Sequence, residues 1–221
     1  VDRRQRQMCI RDRVVLEWGG NSPTWLSPEL EPYLGATTFL GTRSRVLDEG
    51  ERLVEFNLAL EKQAWKEARG FLGMEQFGTS HLAAGEGLLL FKRLRRMGCK
   101  LAFVSEAVMW HHVGSRANRG WMLRRGYWQG VNNVLLTGIE KPGPVSLRLA
   151  STYLAQALGR LARAAAHSAQ GNTSAGMVQL TYAASYLGQM VAQLHLVGDW
   201  RKIKTASAEA SDRARVIRSS V

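Results

Sequence analysis

Residues 83–97, AAGEGLLLFKRLRRM, constrain the fold more than any other stretch of the chain. Leu90, Phe91, Leu94 and Met97 recur at three- and four-residue spacing, while Lys92, Arg93, Arg95 and Arg96 fall on the opposite side. That period belongs to an amphipathic helix with one buried face. Gly98 supplies the stop, because glycine enters the left-handed region that ends helices. LAFV (101–104) and AVMW (107–110) follow as apolar runs too short for helices, and they read as two short buried strands.

The same reading extends in both directions. RLVEFNLAL (52–60) carries apolar residues at Leu53, Phe56, Leu58 and Leu60 and predicts a strand, then a short helix over 61–69 ended by Gly70. Residues 14–50 are rich in turn formers and predict an irregular connector tacked down by Trp18, Trp25 and Tyr33. A helix is expected over 117–136, and KPGP (141–144) is a hard break. Two more helices follow over 145–169 and 175–197, split at Gly171 and Asn172. Their apolar stripes are Leu147, Ala150, Leu154, Leu158 and Leu161, then Met177, Leu180, Ala184, Leu187, Val191 and Leu194.

The 221 residues carry a formal charge of +12, and 45% of them are hydrophobic, which predicts a packed core and a basic surface. Such a surface suits phosphate groups, anionic lipid or nucleic acid. No helix-turn-helix, aromatic-sheet or zinc-finger signature is present, so no nucleic-acid partner is expected. Two distant cysteines, Cys9 and Cys99, make no disulfide framework and point to a reducing compartment. Residues 164–198 hold no formal charge, yet Gln179, Ser185, Gln189 and Gln193 recur through them. That pattern favours helix packing or peripheral membrane contact over a span. The opening VDRRQRQMCIRDR lacks apolar periodicity, and MCIRDR resembles translated sequencing-adapter sequence. Residues 1–13 are therefore read as non-native or disordered, with the natural chain continuing upstream.

Three clusters bear chemistry, each with a bland reading beside it. His111 and His112 end a strand, where a neutral imidazole can bind a divalent cation, but neighbours on a strand point to opposite faces. Glu86 heads the basic helix, either as an ordinary first-turn acid or as a general base. Arg124, Arg125, Tyr127, Trp128 and Gln129 combine guanidinium and aromatic groups that hold phosphates and sugars, or that pack a core with a wet face.

Taken in order, VEFNLAL, RGF, AAGEGLLLFKRLRRMG, KLAFVSEAVMWHHV and LRRGYWQG resemble the back half of family-2 glycosyltransferases. The resemblance runs from about Trp18 to Gly138 and more weakly to about residue 196. It implies the acceptor-side half of a GT-A, Rossmann-like α/β domain over 14–138, a helical extension over 139–200 and a flexible tail over 201–221. It implies an enzyme that takes a nucleotide-diphosphate sugar and transfers the sugar with inversion. The acceptor would be a hydroxyl of a glycan, a lipid-linked glycan or another molecule, in cell-envelope polysaccharide synthesis. The setting would be cytoplasmic or at the inner face of the cytoplasmic membrane. It also implies a divalent cation, magnesium or manganese. Carried over residue by residue, Glu86 would be the base, His111 a metal ligand, and Asn57, Arg124, Arg125, Tyr127 and Gln129 substrate contacts. The family's Asp after the Glu is Gly87 here, its turn glycine is Glu55, the Asp after Gly-Phe is Leu72, and no Asp-x-Asp occurs in residues 14–221. With the donor-binding half missing, this chain alone is expected to be inactive. A catalytically degenerate relative with a binding or structural role is the alternative.

Overall fold

The computed structural model describes residues 8–48, 51, 58–71, 86–140, 146–194 and 196. They form a mixed α/β fold around a four-stranded sheet of order β2-β4-β1-β3. The strands are β1 (Met8–Glu17), β2 (Arg45–Val46), β3 (Leu58–Ala59) and β4 (Lys100–His112). The two long central strands run parallel, and the short outer strands pair antiparallel to them.

Two expectations change here. Residues Met8–Arg13 lie in β1, paired from Met8↔Lys100 to Arg13↔Val108, so the disordered reading does not describe them. The strand then runs on through Glu17, inside the stretch expected to be an irregular connector. Val14 and Leu16 are buried while Glu17 is exposed, the period-two signature of a half-buried strand. LAFV and AVMW are one strand and not two, broken by a register shift between Asp12↔Val104 and Arg13↔Val108. Three residues of β4, Ser105 to Ala107, bulge at that point. Ser44 fills the gap: its Oγ accepts from the Ser105 amide at 2.8 Å and its hydroxyl donates to the Glu106 carboxylate.

Helices α1 (Lys62–Glu67) and α2 (Glu86–Arg96) cover one part of the sheet. Leu90, Phe91 and Leu94 of α2 pack with Leu101 and Phe103 of β4, Ala64 of α1 and Leu40 and Leu47 of the connector. The periodicity of 83–97 therefore marked the right buried face. Two cations of the basic face have structural partners: Arg93 donates to the Gly70 carbonyl and Arg95 to the Asp48 carbonyl, tying neighbouring loops to α2. Gly70 closes α1 at φ 57°, and a Cβ there would stand 2.7 Å from the Trp65 ring, so the site demands glycine on two counts.

The remaining helices form a layered unit. They are α3 (Arg119–Glu140), α4 (Leu147–Ala169) and α5 (Thr173–Gln193). Helix α5 packs against both α3 and α4. The α4–α5 turn is where the sequence places it: Gly171 takes φ 73°, and the Asn172 side chain caps α5 by accepting from the Ala175 amide at 3.1 Å. The boundary expected at 138/139 falls inside α3, and α3 packs on α5 as closely as the hairpin packs on itself.

The apolar stripes need correction. Helix α4 buries Ala150, Ala157 and Ala164, whereas Leu147, Leu154, Leu158 and Leu161 are exposed. Helix α5 buries Gly176, Thr181, Ser185 and Gly188 along with Met177 and Val178. A helix held between two others has two buried faces, and small residues there let the backbones close up. Gly126 and Gly130 of α3 show how close: a Cβ on Gly130 would fall 1.8 Å from the Ser185 carbonyl oxygen, and one on Gly188 2.0 Å from that of Tyr127. Among the described residues no helix is long and apolar enough to cross a membrane.

Candidate functional site at the carboxyl edge of the parallel strands

Parallel β1 and β4 end side by side, with Leu16 opposite His111 and Glu17 opposite His112. In open α/β sheets this is the edge where ligands bind, because the loops leaving it are free of the ladder. The loop after β1 carries Gly19 and Gly20, and the one after β4 leads through Gly114–Arg116 into α3. The Asn118 side chain caps α3 by accepting from the Trp121 amide at 2.8 Å. Beneath the edge, Leu16, Val113, Met122, Met177 and Val178 form a core with Trp18, Trp25, Tyr33 and Trp121 packed around it. The three aromatics expected to tack down the connector do so.

The two histidines alternate in exposure, as adjacent strand residues should. His112 is exposed, with its ring between Gly19 and Gly114 and its Nδ1 4.0 Å from the Glu17 carboxylate. Both partners face water, so the pair contributes little stability. His111 is half-buried, and its Nε2 lies 2.7 Å from Arg116 Nη2. A guanidinium only donates, so the ring nitrogen must accept. Burial, the Arg116 charge and neighbouring His112 hold the His111 imidazole below its ordinary pKa, in the neutral form that this bond needs. Arg116 is fixed further by donating to the carbonyls of His112 (2.9 Å) and Val113 (3.2 Å).

The Nε2 nitrogen of His111 faces the fixed Arg116 charge, and the Glu17 carboxylate lies beside His112. Among the described residues no three His, Cys, Asp or Glu side chains gather in a group able to hold a metal.

The other predicted site residues that are described lie on α2 and α3. Glu86 is the first described residue of α2. Asn57 lies outside the described residues, as do Glu55 and Leu72.

On α3, Arg124 is exposed and Arg125 half-buried. Tyr127 packs edge-on against Trp128 with ring centroids 5.6 Å apart, and burial pushes its hydroxyl pKa up. Gln129 donates to the Asn133 side chain at 3.2 Å. The helix carries these residues away from the edge, Gln129 about 15 Å along the axis from Arg119. The sequence reading missed Glu17 and Arg116. An acid directly after VVL and before Gly-Gly is the usable signal for Glu17; Arg116 had none. No family model, curated protein or solved structure matches this chain.

Proposed function

We propose that the chain is the acceptor-side part of a glycosyltransferase of the GT-A type, acting with a nucleotide-diphosphate sugar donor and a hydroxyl acceptor on a glycan or lipid-linked glycan. The observation that carries the reading is the carboxyl edge of the parallel pair. There an exposed Trp110, His112, Glu17 and the fixed Arg116 meet two glycine-bearing loops. An exposed aromatic face suits a sugar ring, and a carboxylate–imidazole pair suits hydroxyl chemistry. The ordered resemblance of the motifs supports the same assignment.

A second reading is favoured by Gly87 in place of the family's acid: a glycosyltransferase-like chain that binds sugar or nucleotide without turnover. One experiment covers both. The chain, alone and joined to its upstream coding sequence, is titrated with a panel of nucleotide-diphosphate sugars and oligosaccharides while melting temperature and nucleotide release are followed. Release by the longer protein, lost in Glu17→Gln, supports transfer. Binding without release, unchanged when Gly87→Asp is introduced, supports the binding role. Neither binding nor release with any member of the panel defeats both.

A further inference from the structure

Helix α4 has two apolar faces, and only one is covered. Ala150, Ala157 and Ala164, seven residues apart, face α5. Leu147, Leu154, Leu158 and Leu161 fall within an arc of about 60° beside them, on a stretch about 20 Å long. They are open to solvent, Leu147 at 75% and Leu158 at 57% exposure. A lone exposed leucine is ordinary, but four aligned on one helix make a contiguous patch that marks an interaction surface.

Charge selects the occupant. From Lys141 to Gly198 the chain holds no Asp or Glu, while the polar side of α4 carries exposed Arg148 and Arg163. Arg160 is spent within the protein, donating to Gln179 at 2.9 Å and lying 5.0 Å over the Tyr182 ring. Those cations lie away from the stripe, so a second copy docked on the leucines would leave them in water with no carboxylate to meet. An anionic lipid surface supplies the missing counter-charge and takes up a leucine stripe to the depth of the acyl boundary. We propose that α4 is a peripheral membrane helix, lying flat on anionic bilayers with Leu147, Leu154, Leu158 and Leu161 inserted and its arginines at headgroup level. The proposal does not depend on the sugar-transfer reading.

The test is co-sedimentation of the full chain with vesicles of phosphatidylcholine, with and without phosphatidylglycerol. A chain of charge +12 adheres weakly to any anionic vesicle, so the decisive variant leaves the charge alone. Leu147→Ser with Leu158→Ser should weaken binding to the mixed vesicles on the order of tenfold or more with little change in melting temperature, because these two are the most exposed of the four leucines. Arg148→Gln with Arg163→Gln should weaken it about tenfold and flatten the salt dependence. Equal binding of the leucine variant and the parent would overturn the proposal. So would a dimer in sedimentation velocity that the leucine variant disperses while neither form binds vesicles.

Discussion

Replacing Gly130 with alanine adds one methyl group, and the structure says it should cost about 2 kcal/mol or more. The new Cβ would stand 1.8 Å from the Ser185 carbonyl oxygen, 2.7 Å from its carbon and 2.9 Å from its Cα. A relaxed C···O contact is about 3.3 Å, so α3 and α5 must part by roughly 1.5 Å. All three atoms are backbone, so no rotamer change can relieve the clash. Parting the helices loosens Val131, Leu135 and Ala192, which pack between them. A gap of only 0.5–1 Å forfeits about a quarter to a half of each dispersion well. Overpacking of this kind costs about 1–3 kcal/mol, and a rigid facing backbone puts Gly130 at the top of that range. Alanine returns about 1 kcal/mol in helix propensity, leaving a net loss of about 2 kcal/mol or more. Gly159→Ala in α4 is the internal control, because a Cβ there meets nothing within 4 Å. It should gain about 0.5–1 kcal/mol from the same propensity effect. Urea denaturation followed by far-UV circular dichroism measures both. If Gly130→Ala proves as stable as Gly159→Ala, the close crossing of α3 and α5 is wrong.

Thr37 is fully buried, its hydroxyl accepting from the Val14 amide at 2.7 Å and its own amide donating to the Val14 carbonyl at 3.1 Å. Thr37→Val strands a buried N–H and should cost about 1–3 kcal/mol in urea denaturation, while Thr37→Ser keeps the acceptor and should lose less. His111 has its folded pKa below its ordinary 6.5, so the unfolded chain takes up its proton first. Its contribution is therefore fully present above pH 6.5 and is lost as pH falls through the window below. The denaturation midpoint should drop from pH 7.5 to 5.5 in the parent and drop less in His111→Gln, whose amide still accepts from Arg116. Glu51 accepts from both Arg45 terminal nitrogens and from the Asp48 amide at 2.8 Å, which lowers its pKa to about 2. Carboxyl NMR titration should find Glu51 ionised through pH 3 in the parent and titrating higher in Arg45→Gln.

Local elements were legible where one period met one environment. Helix α2, the α1 stop at Gly70 and the α4–α5 turn at Gly171 and Asn172 all follow from short-range rules, and the structure keeps them. What failed depended on the partner. The leucines of α4 read as its core face because leucine is the stronger apolar signal, yet close approach to α5 selects alanine and leaves the leucines outside. Strand β4 read as two strands because Ser105 and Glu106 interrupt its apolar run. Ser44, sixty-one residues away from Ser105, satisfies the interruption, and no local window contains it. Val14–Glu17 went unread as strand because only five residues separate the basic opening from the Gly-Gly loop.

The segment LRRGYWQG resembled a ligand-binding helix, but much of it has a packing explanation: Gly126 and Gly130 admit the α5 backbone, and Tyr127 and Trp128 pack beside Val131 and Leu135. Any chain with the same helix crossing would select those glycines, whatever it binds. Residues that packing does not require are the better guide, because a sequence departs from folding rules where function demands it. Trp110 stands 65% exposed at the end of a strand whose other end is buried, and Glu17 and His112 face each other in water while contributing little to stability. No core, cap or turn needs these three side chains there. The carboxyl edge of β1 and β4, more than the resembling helix, is therefore where substitutions should alter ligand binding while leaving the melting temperature in place.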